Sequence, residues 1–172
     1  KFKGKFTGFA SDFVAYGSIN TDIGVINSDI NLKYVKGNAG YKGHLSTVNF
    51  NIGKIAKVPD LGNVTFSADV QGTGLQLKTI NASLKGKVET LVYHQYAYRN
   101  IDLDGQIAKK LFNGSFTVND PNADLGFKGT IDYRTSLPEF NFVADIRHAD
   151  LDTLHLFNLK TQTALQTKIS TH

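Results

Sequence analysis

The chain has 172 residues and a net charge of +4, a length that fits one domain with a real hydrophobic core or two small units. It contains no Cys, which excludes disulfide bonds, thiol catalysis and cysteine-based zinc sites. The Lys residues are scattered rather than gathered in a patch, with Lys109 and Lys110 as an adjacent pair, and no nucleic-acid-binding motif occurs, so we expect no nucleic-acid partner. No apolar run approaches the roughly 18 residues of a membrane-spanning helix.

The first residue is Lys rather than Met, and no leader of charged, apolar and small residues follows it. We therefore expect an internal piece of a longer protein. The 16 Gly residues and the frequent Asn, Thr and Asp residues are typical of an all-β chain with many turns.

The first part of the chain predicts strands, because side chains alternate between two faces over residues 1–9 and 26–34, and residues 13–34 form two β-rich runs. Asp and Gly within residues 21–24 favour a hairpin turn there. Alternation returns over residues 64–70, breaks at residues 71–74 and continues to residue 89. Residues 91–98 are rich in aromatic side chains.

Four alternating runs follow one another between residues 96 and 147. Their connectors, at residues 119–122 and 135–138, contain Asn, Asp, Ser and Pro and are too short for a crossover helix. The simplest topology is an antiparallel meander. One face of it is polar, and the other carries large apolar side chains that a second sheet, closure of the sheet or an apolar ligand must cover.

The period of two is lost at two places, which predicts two short helical turns. The first lies within residues 49–56, capped by Asn49 and ended by Val58-Pro59, and the second lies within residues 149–154, capped by Asp150. These turns suggest a unit over residues 1–57, a second unit over residues 58–156, and the start of a further strand unit over residues 157–172.

The sequence contains no recognisable catalytic motif. The five His residues are scattered without metal-ligand spacing, so we expect solvent-exposed histidines rather than a metal site. Asp102 and Asp104 share the polar side of one strand, where solvated carboxylates are the ordinary arrangement. No nucleophile elbow, phosphate loop or dinucleotide fingerprint occurs. We expect no catalytic residues, metal or cofactor.

Glycines recur in phase with the apolar residues. They are either bends where the sheet curls or spaces in which a neighbouring ring lies flat, and both interpretations predict a strongly curved sheet. The glycines concerned are Gly4, Gly8, Gly43, Gly86, Gly105, Gly114 and Gly129. The predicted fold is an all-β, curled antiparallel sheet with an apolar interior and one or two short helical turns.

Several short strand sequences between Phe50 and Leu159 resemble the C-terminal half of TamB-like proteins of the AsmA-like superfamily. They are degenerate strand sequences rather than catalytic motifs. They are Phe50-Asn-Ile-Gly-Lys-Ile, Pro59-Asp-Leu-Gly-Asn-Val-Thr-Phe, Gly72-Thr-Gly-Leu, Tyr98-Arg-Asn-Ile-Asp-Leu-Asp-Gly, Phe112-Asn-Gly-Ser-Phe-Thr-Val-Asn-Asp-Pro-Asn and Ala149-Asp-Leu-Asp-Thr-Leu.

The resemblance implies a long β-taco groove in the bacterial envelope. The full-length protein would be anchored in the inner membrane, span the periplasm and work with an Omp85-type (TamA-like) outer-membrane partner. It would carry phospholipid or other acyl chains and support outer-membrane biogenesis, with no catalytic residues and no cofactor.

The groove would be lined by the large apolar residues of the alternating runs. These are Val64, Phe66, Val70, Leu84, Val88, Ile101, Leu103, Ile107, Phe112, Phe116, Val118, Leu125, Phe127, Ile131, Phe140, Phe142 and Ile146. Two other hypotheses remain open. One is an assembly module that pairs through strand edges, and the other is a carbohydrate-binding β-sandwich that uses Tyr93, Tyr96 and Tyr98.

Overall fold

The computed structural model describes residues 2–9, 11–35, 38–56, 59–74, 76, 78–132, 134–135, 137, 139–156 and 167–170. Within these residues the chain forms one open antiparallel sheet of 11 strands in sequential order. The predicted all-β, curled antiparallel sheet is confirmed. The strands are β1 (Phe2–Phe9), β2 (Asp12–Thr21), β3 (Gly24–Val35), β4 (Asn38–Asn51), β5 (Leu61–Thr73), β6 (Asn81–Tyr93), β7 (Tyr96–Ala108), β8 (Leu111–Asp120), β9 (Ala123–Asp132), β10 (Glu139–Ala149) and β11 (Thr167–Ser170).

The turn between β2 and β3 lies where the sequence predicts it. The Thr21 hydroxyl donates to the Gly24 carbonyl oxygen at 2.8 Å. The turn between β6 and β7 was not predicted. His94 and Gln95 both have positive φ, 48° and 65°, which suits a two-residue hairpin although neither is the usual Asn or Gly.

A short helix, α1 (Ile52–Ala56), joins β4 to β5 as predicted, but its cap differs. The Asn51 side chain accepts a hydrogen bond from the Lys54 amide at 2.9 Å, so the prediction of Asn49 as the cap is wrong. Asn49 instead has a φ of 50° and accepts a hydrogen bond from the Asn63 side chain at 2.8 Å. Here the chain leaves the strand two residues later than expected.

Two further boundaries differ from the predictions. β5 runs through Thr73, so residues 71–73 belong to the strand rather than to a break. The predicted C-terminal strand over residues 161–171 is represented by β11, and residues 161–166 and 171 lie outside the described residues. β4 and β5 pair over most of their length, so the sheet continues from β4 to β5. The division into units stays a prediction.

The strand register confirms the predicted phase of the two faces. Ile101 lies opposite Val88 on one side and Val118 on the other, and Val118 lies opposite Leu125. Leu125 in turn lies opposite Ile146. Neighbouring positions carry charges on the opposite face, where Lys85 Nζ lies 3.0 Å from Asp104 Oδ2.

The glycines of the apolar face mark places where neighbouring strands approach closely. A Cβ at Gly86 or Gly129 would come closer than 3.0 Å to the backbone of a neighbouring strand, β5 for Gly86 and β10 for Gly129. At Gly105 the obstacle is a ring, because a Cβ there would lie 2.6 Å from the Phe112 side chain. Both interpretations of the glycines therefore hold, each at different positions.

The most buried part of the molecule lies at one end of β7–β10. Ile101, Val118, Ala123 and Ala149 pack there against Leu154, which is 1% exposed. Leu154 lies in a turn of residues 150–156 that follows β10 and is called the end turn below. Asp150 caps it as predicted, with its carboxylate accepting from the Thr153 amide at 3.2 Å.

Candidate functional site

The apolar face of β5–β9 contains a cavity of about 430 Å³, which is within the usual size range of ligand pockets. Its wall presents only apolar surface. The described residues that line the cavity are Leu61, Val88, Leu91, Tyr93, Tyr98, Ile101, Leu103, Phe116, Val118 and Leu125. Six of these ten belong to the predicted groove-lining set, and Leu61, Leu91, Tyr93 and Tyr98 do not.

Beside the cavity, four phenylalanines of the predicted set pack on one another and fill the interior. Phe116 stacks on Phe127 with ring centroids 4.8 Å apart, and Phe127 lies 5.1 Å from Phe142 and 6.4 Å from Phe112. Phe127 is 9% exposed. These rings form the ring cluster of Phe112, Phe116, Phe127 and Phe142, and Phe116 also lines the cavity.

The structure places the other predicted residues on the same face but outside the cavity. Val64 is 4% exposed and lies in sealed core, whereas Phe140 is 47% exposed. The remaining ones, half-buried along the strands, are Phe66, Val70, Leu84, Ile107, Ile131 and Ile146. The predicted lining is thus one face of the sheet, and the cavity occupies only part of it.

A change in the alternation of the two faces explains why Leu91 and Tyr98 were not predicted to line the groove. Val88 and Ile101 face the cavity, and Leu91 and Tyr98, three residues from each along their strands, face it too. Strict alternation places residues three apart on opposite faces. Asn100, between Tyr98 and Ile101 on β7, has a φ of 51°. On β6, the register with β5 shifts after Val88. Each strand therefore carries an irregularity that interrupts the alternation.

Tyr98 packs against Tyr96, which belongs to a hydrogen-bonded group at the hairpin ends. Its ring meets the Tyr96 ring edge-on at 4.9 Å. The Tyr96 hydroxyl donates to Asp120, a carboxylate that is 5% exposed and also accepts from the Arg99 amide at 3.0 Å. Burial raises the pKa of Tyr98 to about 12. The phenol is therefore neutral at physiological pH and suits an apolar wall.

The polar face carries three open concavities of about 640, 610 and 460 Å³ in the described part of the chain, and His44 lines all of them. His44 Nδ1 lies 2.9 Å from Asp69 and its Nε2 lies 2.8 Å from the Ser67 hydroxyl. Charged side chains surround this group, and the Asp69 side chain is 82% exposed. Charged residues such as Lys85 and Asp104 line the concavities beside apolar surface, so they suit an apolar ligand less well than the cavity, whose wall is wholly apolar.

The Ser67, His44 and Asp69 side chains follow the hydrogen-bond order of a hydrolase triad, but the surroundings differ from such a site. Catalysis by a triad needs backbone N–H groups free to bind an oxyanion. β4 and β5 pair with strands on both sides, so their N–H groups are used in the sheet. We interpret the three side chains as a surface hydrogen-bond group.

Among the described residues, no three His, Asp or Glu side chains lie close enough to share a metal ion. The expectation of uniformly exposed histidines is wrong for His94 and His148, which are half-buried. His155 Nδ1 donates to the His94 carbonyl oxygen at 2.9 Å. His172 lies outside the described residues.

Comparison with family models, with curated proteins and with solved structures gave no match for this chain. In the part of the chain that the structure describes, none of the helices has the length and apolar character needed to cross a bilayer.

Proposed function

We propose that this chain binds an acyl chain in the cavity on its apolar face. The observation that carries the proposal is the cavity of about 430 Å³ whose wall presents only apolar surface. A ligand that fits such a wall must itself be apolar, because a polar group buried there would lose its hydrogen bonds to water. The polar part of a phospholipid or fatty acid would remain outside.

The free energy available is adequate for binding. Each methylene removed from water contributes about 0.8 kcal/mol, so a fully buried chain of about sixteen carbons would gain roughly 12 kcal/mol before the costs of binding. The ring cluster already fills part of the interior with the protein's own side chains. The ligand would therefore occupy the cavity over β5–β9 rather than the whole apolar face.

On a larger scale, we propose that the chain is a segment of a TamB-like envelope protein that carries phospholipid across the periplasm. The resemblance between Phe50 and Leu159 supports this proposal, together with a curled sheet that is open rather than closed. The inner-membrane anchor, the periplasmic location and the Omp85-type, TamA-like partner belong to the same proposal.

Photo-crosslinking tests acyl-chain binding directly. A photoreactive residue replaces Phe116 in the cavity wall, and the protein is purified from cells and analysed for attached lipid by mass spectrometry. Thr117, the next residue on β8, faces the polar side and is the matched control. Lipid attached at position 116 but not at 117 supports the proposal. Equal attachment, or none at position 116, would sink it.

An assembly module that acts by strand pairing is a second candidate function. The observation that favours it is the open sheet, in which β1 and β11 are the first and last strands. Such edge strands can extend a sheet by pairing with a strand of another protein. The carbohydrate-binding sandwich needs two facing sheets, whereas the described residues form one. Tyr93 and Tyr98 line the apolar cavity.

A further inference from the structure

The end turn closes the apolar interior on the side of β7–β10. Leu154 is 1% exposed and packs in one cluster with Ile101 and Val118, which also line the cavity. Seven of the ten cavity-lining residues belong to this cluster or pack against it. Leu154 therefore stands directly behind the cavity wall.

Hydrogen bonds fix the end turn to the ends of two hairpins. The Asp150 amide donates to the Asn122 carbonyl oxygen between β8 and β9 at 2.9 Å. At the other side of the turn, His155 Nδ1 donates to the His94 carbonyl oxygen between β6 and β7 at 2.9 Å. Within the turn, the Leu154 amide donates to the Asp150 carbonyl oxygen at 2.9 Å. The position of the Leu154 side chain is thus fixed by hydrogen bonds at both ends of the turn, at Asp150 and at His155.

We infer that the end turn supports the end wall of the cavity from behind and that Leu154, packed in one cluster with the wall residues Ile101 and Val118, limits the length of the acyl chain that the cavity accepts. This inference rests on the proposed function. Carbons removed from Leu154 leave apolar space behind Ile101 and Val118. These two side chains move into that space, and the cavity then accepts the end of a longer chain. Each additional methylene that is buried raises the affinity about fourfold.

The test compares saturated fatty acids of increasing length. Laurate, palmitate and arachidate displace the fluorescent dye ANS from the wild-type chain and from Leu154→Ala. In the wild type, affinity rises from laurate and then stops rising with length. In Leu154→Ala, the affinity for arachidate rises at least fourfold over that of the wild type, and the affinity for laurate stays the same.

The control is Leu45→Ala, which shortens a half-buried leucine of the apolar face on β4, outside the cavity. It should leave the length profile unchanged. Leu154→Val gives a smaller shift in the same direction and keeps the test valid if Leu154→Ala does not fold.

The outcomes separate the two proposals. If fatty acids bind but neither Leu154 variant changes how the affinity depends on chain length, the role of Leu154 is wrong and acyl-chain binding still stands. An equal change in affinity for all three acids overturns the role of Leu154 as well. If none of the acids displaces the dye from the wild-type chain, acyl-chain binding itself is wrong and the inference falls with it.

Discussion

Phe116 belongs both to the cavity wall and to the ring cluster. Its ring stacks on Phe127 at an interplanar angle of 10°, and it lines the cavity with Leu103 and Val118. Thr117, next to it on β8, is exposed on the polar face. Two adjacent positions therefore have opposite surroundings, and the same substitution at each distinguishes an open cavity from a sealed core.

Phe116→Arg should leave the protein folded and abolish lipid capture. The Arg stem lies along the cavity wall with its charged end in water. The free energy of unfolding should therefore fall by about 2 kcal/mol, mainly because ring stacking and burial are lost. Thr117→Arg should change stability by no more than about 0.5 kcal/mol and keep the lipid. Thermal melts and lipid extraction measure both effects. Unfolding caused by Phe116→Arg alone would mean that the site is sealed core.

Tyr98 makes the stability depend on pH at the alkaline end. Its pKa is about 12 in the folded protein against 10.0 for an ordinary tyrosine, chiefly because of burial. A raised folded pKa contributes stability that is fully present below about pH 10 and is lost as pH rises towards about 12. The unfolded chain releases the phenol proton first, which favours unfolding in this window.

Tyr98→Phe should make the alkaline loss of stability shallower, because it removes the titrating hydroxyl. The decline should not disappear, since burial and the Asp120 hydrogen bond also raise the pKa of Tyr96. Urea denaturation from neutral pH to about pH 12 measures the slope. Tyr16→Phe, at a ring that is 63% exposed, is the control. Identical slopes for wild type and Tyr98→Phe would contradict the assignment.

At the scale of the elements, β9 shows how a strand bends over the interior. Gly129 lies on the apolar face, and a Cβ there would come closer than 3.0 Å to the Asn141 carbonyl oxygen and to Phe142 on β10. Gly126 lies on the same strand but on the other face, where a Cβ would meet only Thr117 at 4.0 Å. The close approach at Gly129 is what the curled sheet requires.

Gly129→Ala should destabilise the protein by about 1 to 3 kcal/mol, because β9 and β10 must move apart to accept the methyl group. Gly126→Ala should change stability by no more than about 0.5 kcal/mol. Urea denaturation measures the effect: the midpoints of the two variants are compared, with the dependence of the unfolding free energy on urea concentration unchanged. Equal stability of Gly129→Ala and Gly126→Ala would show that the strands do not approach closely at Gly129.

At the scale of the whole molecule, the sheet is open and its burial is uneven. The buried cluster lies over β7–β10, whereas the N-terminal strands leave Phe9 83% and Tyr34 56% exposed. β1 is the first strand of the order, and among the described strands it pairs with β2. The local free energy of opening should therefore differ greatly along the chain.

Hydrogen exchange followed by mass spectrometry should show the slowest exchange in peptides from β7 and β8 and much faster exchange in β1. The reason is that β7 and β8 pair on both sides and support the buried cluster.

Addition of palmitate should slow exchange in β6–β8 and leave β1 unchanged. Protection of β1 by an added outer-membrane partner would favour the strand-pairing function, and uniform exchange along the chain would contradict the uneven burial.

Period-two alternation was sufficient to determine much of this protein. It placed Val88, Ile101, Phe116 and Val118 on one face, and short turn sequences made the sheet an antiparallel meander. In-phase glycines such as Gly86 indicated the curl. These features are local, because each strand exposes alternate residues to opposite faces whatever lies beyond it. The face that carries the cavity was therefore readable from the sequence.

Only the tertiary structure decided where that face is open and where it is filled. The ring of Phe127 fills the interior and Leu154 closes it, since residues far apart in sequence meet there. Leu91 and Tyr98 enter the wall through a register shift after Val88 on β6 and a positive φ at Asn100 on β7, which alternation cannot predict. A cavity depends on how side chains that are far apart in sequence pack together. Alternation along a strand shows which face a residue lies on, but not which distant residues it packs against.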